Sequence, residues 1–292
     1  MFDVCVVGHA TRDVILLGSS RGEELPGGTA NYTSLALRRL GLAVALVTKL
    51  KPDDDALVAE LRRDGVAVDV KASPATTTFE NLYRQDDPNA RVQTVTAVAA
   101  PFSPEDVQAI SARVVHVGSL TNRDVTPAVL REARTRAGLV SLDVQGLVRE
   151  VIECAVRQGD WPEKEAGLAH IDIVKADETE AALLSGASEP EEAARRLADL
   201  GPKEVIITMA SRGSLVLAGG RLSRIPAFPP KTIVDPTGCG DTYVAGYLFQ
   251  KLKGREVEEA ARFGAALATL KLEHFGPVRA RAEEAAALAV RG

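Results

Sequence analysis

The chain has 292 residues, 46% of them hydrophobic and 4% aromatic, enough for one large α/β core with a small appendage. Its net charge of −5 is spread along the chain without a basic tract, which argues against nucleic acid or an anionic membrane as partner and favours small molecules. No apolar stretch approaches the roughly 20 residues of a membrane span, and Cys5, Cys154 and Cys239 are too few and scattered for a disulfide framework, so a reducing cytoplasm is the expected compartment.

Met1 to Gly8 lacks the charged and apolar regions of a signal peptide and reads as a first strand. Further short, β-branched apolar runs follow at Val44 to Thr48, Val114 to Gly118, Leu139 to Asp143, Ile171 to Lys175 and Val205 to Thr208, the pattern of parallel strands buried on both faces. Helical patterns lie between them: Thr29 to Leu40 stops at Gly41, and Pro104 to Ile110 begins after a Ser103 cap. The alternation predicts one doubly wound, mostly parallel α/β sheet flanked by helices over residues 1–292.

Val66 to Val70, Thr76 to Tyr83 and, after the turn-like Asp86 to Asn89, Val92 to Val98 read as strands without helices between them. With Thr11 to Leu17 they are expected to form a small antiparallel lid, from about 11–17 and 66–98, although an ordinary meander at the sheet edge has the same pattern. The Ala-rich end, Ala280 to Val290, reads as a closing helix. His9, His116, His170 and His274 show no paired metal-ligand spacing and are expected to be structural or solvated.

The segment richest in chemistry is Val234-Asp235-Pro236-Thr237-Gly238-Cys239-Gly240-Asp241-Thr242, followed by an amphipathic pattern with Val244, Leu248 and Leu252 on one stripe. Two glycines before a helix start let the backbone turn tightly and present N–H groups, and the helix end adds partial positive charge, which together make an anion site. Asp241 lies at the same turn, where its carboxylate could take a proton from a hydroxyl beside a bound phosphate. An Asp there also commonly stabilises only its own helix, and the spacing alone leaves both readings open.

Asp-Pro-Thr-Gly-Cys-Gly-Asp-Thr resembles the C-terminal signature of the ribokinase/PfkB carbohydrate kinases, D-T-x-G-A-G-D. The resemblance implies a ribokinase-like fold, Asp241 as catalytic base, and Gly238, Cys239 and Gly240 as the anion hole, with Cys239 in place of the usual Ala. A thiol at a helix N-terminus is expected to have a lowered pKa, and the same position is expected to keep Asp241 ionised at neutral pH. Pro26 to Tyr32 is similar to the family's G-G-x-x-x-N signature, implying acceptor binding by Gly27, Gly28 and Asn31, with Asp13 at the family's hydroxyl-binding Asp. Lys175-Ala176-Asp177-Glu178-Thr179-Glu180 looks like the N-x-x-E motif, with Glu180 and Asp177 toward Mg²⁺ and Lys175 toward the nucleotide; an acidic first helical turn is the plainer reading. Thr208 to Gly213 resembles the T-x-G-x-x-G turn under the nucleotide, implying contacts from Thr208, Ser211 and Gly213, with Ala210 in place of the first Gly. Gly264 to Leu270 and Gly276 stand where the adenine would be flanked.

The implied cofactors are ATP and Mg²⁺, with a monovalent cation such as K⁺ as a further candidate, in a monomer or homodimer. Leu142 to Arg149 is similar to the inositol-kinase-like branch, which implies a cyclitol acceptor met by Asp143 and Gln145. Free sugars, nucleosides and sugar phosphates compete. Arg12, Arg84 and Arg91 could receive an acceptor phosphate, and Phe79 and Tyr83 could stack on a base. A non-catalytic nucleotide or polyol sensor is the alternative from another class, disfavoured by the retained Asp241. A nicotinamide-dependent dehydrogenase would need GxGxxG after the first strand, and Val7 to Arg12 lacks it.

Overall fold

The computed structural model describes residues 1–17, 20–83 and 91–291. In chain order, β1 (Phe2–Val7) leads to β2 (Thr11–Leu17) and β3 (Ser20–Gly27), and a helix, Gly28–Arg39, brings the chain to β4 (Val44–Leu50) and β5 (Ala67–Ala72). Then come β6 (Thr78–Tyr83), β7 (Arg91–Ala97), β8 (Ala112–Gly118), β9 (Ala137–Asp143), and the hairpin β10 (Arg149–Ile152) and β11 (Ala155–Gln158). β12 (Ile173–Asp177), β13 (Glu204–Thr208), β14 (Ser214–Ala218) and β15 (Arg221–Ile225) complete the strands, and the chain closes with helices Cys239–Leu252, Val257–Leu272 and Ala282–Arg291.

Among the described residues, nine strands form one sheet in the order β15-β14-β13-β12-β9-β8-β1-β4-β5. The run from β13 to β5 is parallel, and the β14–β15 hairpin adds an antiparallel edge. Alternation along each strand divides the core into two layers. Val4, Val6, Leu46, Val114 and Ile173 face Leu35 of the Gly28–Arg39 helix, Val244 and Leu248 of Cys239–Leu252, and Phe263 and Leu267 of Val257–Leu272. Cys5, Val7, Val115, Val117, Leu142 and Val174 face Val129, Leu130, Leu184 and Leu197 on the other side. The doubly wound expectation therefore holds.

Strand order reverses at β1, whose parallel neighbours are β4 and β8. In such sheets the crevice beyond the carboxyl ends at the reversal is where ligands bind. Here Gly8 follows β1 and Gly118 ends β8, and a Cβ on Gly8 would come within 2.6 Å of the Gly118 carbonyl oxygen. A side chain on Gly118 would collide with Thr29, so the first turn of the Gly28–Arg39 helix lies directly over the crevice.

A second sheet of six strands, β10-β11-β7-β6-β2-β3, projects from the first. It is antiparallel apart from the parallel β2–β6 pair. Its extent differs from the expected 11–17 and 66–98. The strand near Val66 to Val70 is β5, which pairs parallel with β4 in the large sheet and packs Val66, Val68 and Val70 on the main core. Its crossover is the pair of short helices Pro52–Val58 and Ala59–Arg63, which escaped notice because neither is long enough for clear periodicity. The small sheet instead gains β3 and the β10–β11 hairpin.

Candidate active site

The anion-site segment crosses the same crevice. Gly238 adopts φ +76°, and an added Cβ would fall inside the Tyr32 ring, so both backbone conformation and close approach demand glycine there. The helix Cys239–Leu252 follows at once; the Thr242 N–H donates to the Gly238 carbonyl at 2.9 Å, leaving first-turn N–H groups without intrahelical acceptors. The preceding turn is shaped by Asp235, whose Oδ1 accepts from the Thr237 N–H at 2.9 Å.

Asp241, partly exposed, lies beside the first helix, where the Thr33 hydroxyl is 3.5 Å from its Oδ1. Its carboxyl is pushed above the ordinary carboxylate range by burial and then by the nearby Asp143, against the opposing pull of Thr29, Lys175 and Thr33. The helix N-terminus thus does not by itself fix Asp241 as an ordinary low-pKa carboxylate, because desolvation in the crevice outweighs it. A base with a raised pKa is better matched to proton abstraction near neutrality.

Behind this turn the ends of β9 and β12 bring Asp143 and Lys175 into a buried ion pair at 3.0 Å. Lys175 Nζ would lie 3.0 Å from a Cβ on Gly240, so the ammonium sits against the glycine turn. Burial tends to discharge Lys175, but Asp143, Glu180 and Asp241 outweigh it and hold the ammonium more firmly protonated than a free lysine. Asp143 Oδ1 also accepts from the Gln145 N–H at 3.0 Å.

Glu180 and Asp177 form a reciprocal capping box: Asp177 Oδ1 accepts from the Glu180 N–H at 2.8 Å, and Glu180 Oε2 from the Asp177 N–H at 2.7 Å. The plainer reading of an acidic helix start therefore accounts for Asp177. Glu180 is different, since its Oε1 is buried without a hydrogen-bond partner. Burial pushes its carboxyl up to about 7 despite Lys175. Among the described residues no group of three or more His, Cys, Asp or Glu side chains could cage a metal ion.

The remaining sequence candidates fall at varied distances from this centre. Asn31 is buried on the first helix, donating to the Pro26 carbonyl at 3.1 Å while its Oδ1 has no partner. Asp13 sits against Gly27, accepts from the Thr11 hydroxyl at 2.8 Å, and is close enough to Tyr32 to raise that phenol's pKa, behind burial and Asp235. Gly28, at φ +79°, approaches the His9 carbonyl. Thr208 ends β13 beside Asp177, Gly213 packs its backbone on Ile225 and Ala227, and Ser211 is exposed on the turn between them. Gly264 lies against Tyr243 of the neighbouring helix, a helix-packing contact. Phe79 is buried with Val95 and Leu120 in the core of the small sheet. Arg12 pairs with Asp54 and Glu24; Arg84 and the side chains of Tyr83 and Arg91 lie outside the described residues.

Cys239 departs from expectation. Burial pushes its thiol up to about 11, with Lys271 pulling the other way and Asp235 and Asp241 adding to the rise. Its Sγ–H points to the Ala268 carbonyl, 3.7 Å away, so the thiol is turned into the protein rather than toward the helix dipole. Of the histidines, His116 is a neutral core residue, its pKa lowered to about 4 chiefly by burial, with Nδ1 3.1 Å from the Ser141 hydroxyl.

Three residues near the site had no signal in the motifs: Thr29 and Thr33, which touch Asp241, and the fully buried Lys271, which binds Asp235. The helix Gly28–Arg39 is buried from Thr29 to Leu37, and the hydroxyls of Thr29, Thr33 and Ser34 within this buried stretch were the available clue.

Residues 1–284 match the pfkB family carbohydrate kinases. Cytidine kinase of Thermococcus kodakarensis is 29% identical over 284 residues, covering 94% of this chain and 98% of its own. Inositol 3-kinase of Arabidopsis thaliana is 25% identical over 283 residues, 94% of this chain and 74% of its own. Among solved structures, a pyrophosphate-dependent kinase in the ribokinase family, complexed with a pyrophosphate analog and myo-inositol, superposes with a TM-score of 0.87 at 29% identity over 97% of this chain and 99% of that one. With the family model matched over residues 1–284, the chain belongs to the pfkB family of carbohydrate kinases and is a phosphotransferase with an alcohol group as acceptor.

Proposed function

We propose that the chain transfers the γ-phosphoryl group of ATP to a hydroxyl of a small polyol or sugar, with a cyclitol as the preferred acceptor. The observation that carries this reading is the Asp241 carboxylate at the start of an anion-binding helix, steadied by Thr29 and Thr33 and flanked by Asp143 and Lys175. Asp241 takes the hydroxyl proton as the acceptor oxygen attacks, the Gly238 to Gly240 turn receives the transferring group, and Lys175 offsets its negative charge. Asp13, Gly27, Gly28 and Asn31 hold the acceptor, for which the free Oδ1 of Asn31 is a ready hydrogen-bond acceptor. Thr208, Ser211 and Gly213 flank the donor. Mg²⁺ fits the partnerless Glu180 Oε1, through water as this ion prefers, and would neutralise donor phosphate charge. The small sheet serves as a lid that excludes water.

A neutral, non-aromatic acceptor is supported by two contacts already made: Arg12 is engaged by Asp54 and Glu24, and Phe79 is spent in the lid's own core. A relative named inositol 3-kinase and a solved kinase complexed with myo-inositol point the same way, while a cytidine kinase and a ribokinase keep the acceptor open to test. Pyrophosphate is a second reading for the donor, favoured by the pyrophosphate-dependent neighbour at TM-score 0.87. An exposed free thiol, Cys154, suits a reducing cytoplasm. Phosphoryl transfer should be measured with ATP and with pyrophosphate against myo-inositol, ribose and cytidine. Turnover on myo-inositol with ATP is the expected result; preference for cytidine, or for pyrophosphate, would replace the acceptor or donor accordingly.

A further inference from the structure

Lys271 is fully buried near the end of the Val257–Leu272 helix, yet the phosphoryl-transfer scheme gives it no role. Its Nζ lies 2.8 Å from the Asp235 carbonyl oxygen, 2.9 Å from Asp235 Oδ2 and 3.3 Å from the His274 carbonyl oxygen. All three partners only accept, so all three positions around the nitrogen must be N–H, and the group is an ammonium by geometry. The Tyr32 ring, which also packs on Gly238, lies 5.8 Å away on a further side.

These oxygens belong to the two segments that frame the anion-binding turn. Asp235 Oδ1 shapes that turn through the Thr237 N–H, its Oδ2 also accepts from the Gly276 N–H at 3.3 Å, and the Val234 N–H donates to the Leu272 carbonyl at 2.9 Å. Two backbone carbonyls and a carboxylate at such distances, around one positive charge, are also the surroundings that suit a weakly hydrated monovalent cation. A free K⁺ does not fit here, because the lysine head fills the place.

We infer that Lys271 is a tethered internal cation, which substitutes for a bound monovalent ion and holds the Asp235 to Gly238 turn in its anion-binding shape. Lys271 acts through Asp235 and is a positioning residue. The consequence is specific: the enzyme needs no K⁺, and removing the ammonium creates a site for one.

The test has two readouts. Wild-type turnover should be unchanged, within about twofold, between buffers containing K⁺ and buffers containing only tetramethylammonium. Lys271→Ala should lose roughly 10²-fold in kcat, the scale of a small misplacement at a reacting centre, and recover at least tenfold when K⁺ or NH₄⁺, but not tetramethylammonium, is added. Independently of any substrate, the thermal midpoint of Lys271→Ala should rise with K⁺ or NH₄⁺ while that of wild type does not. This melting arm separates failure of the inference from failure of the proposed acceptor or donor. If Lys271→Ala does not fold, Lys271→Met keeps the stem, removes the charge and takes its place. Strong K⁺ activation of wild type, full activity of the variant without added cation, or a folded variant whose midpoint and rate ignore K⁺ and NH₄⁺ would each overturn the inference.

Discussion

Replacing Lys175 by Met removes one charge from a cluster that contains the buried Asp143 and Glu180 and the partly exposed Asp241, and leaves three carboxyls near one another. The Lys175–Asp143 pair is 3.0 Å apart with each side chain about 5% exposed, so water cannot take over the lost contact. Breaking a pair of this kind costs about 3–5 kcal/mol, mostly because the remaining charge is buried and uncompensated. The pH dependence separates this from lost packing. Glu180 has its folded pKa raised from 4.5 to about 7, so its contribution is intact below about 4.5 and is lost as pH rises through about 7. Asp241 shifts in the same direction. Without Lys175 both carboxyls rise further, and the deficit of Lys175→Met should be several kcal/mol at pH 8 and clearly smaller at pH 5, where they take up protons. Adding Asp143→Asn to Lys175→Met should restore much of the stability at pH 8. Urea denaturation of the four proteins of this cycle at both pH values measures it. A loss under about 1 kcal/mol, or one equal at pH 5 and pH 8, would refute the electrostatic account.

Cys239, with its thiol pushed up to about 11, should be alkylated slowly at pH 7, well behind the exposed Cys154, and its rate should climb steadily toward pH 11; fast labelling of Cys239 at pH 7 by peptide mapping would contradict this. Ala210, at φ +50°, occupies the left-handed region without being glycine, so Ala210→Gly should raise stability by about 0.5–1 kcal/mol in denaturant titration, and a loss of stability would show the strain to be absent. The raised Asp241 pKa places the acid limb of kcat/KM above the ordinary aspartate pKa near 4; activity should fall as pH drops through that raised value, and a limb at or below about 4 would remove the argument from burial.

The sequence was most legible where one short segment determines both conformation and chemistry. Gly238 to Asp241 could be read because a positive φ, an open helix end and a carboxylate fall within four residues. Asp177 and Glu180 carried a double message: the D-x-x-E spacing is a capping box as well as part of the motif the resemblance implies for a metal, and the structure uses it as the former while Glu180 Oε1 has no hydrogen-bond partner. Lys271 was invisible because its partner Asp235 is 36 residues away and its surroundings in sequence read as the end of an ordinary helix. The small sheet was half legible. The β10–β11 turn puts Glu153 and Cys154 at φ +48° and +68°, a conformation normally marked by Asn-Gly, so the hairpin had no turn signal. Gly219-Gly220 between β14 and β15 did carry such a signal. β5 was misplaced because an edge strand of a parallel sheet and a strand of the small sheet share the same short alternating pattern, and only its pairing with β4 tells them apart.

Asp241→Asn decides whether Asp241 is the base, since the change keeps size and the glycine turn while removing basicity. Because desolvation in the crevice makes the carboxylate costly to hold ionised, the variant should be at least as stable as wild type at pH 8, so lost activity cannot be laid to lost folding. Turnover with the identified acceptor should fall by roughly 10² to 10⁴-fold, with donor affinity little changed. Retention of most of the wild-type kcat by a folded Asp241→Asn would contradict the account.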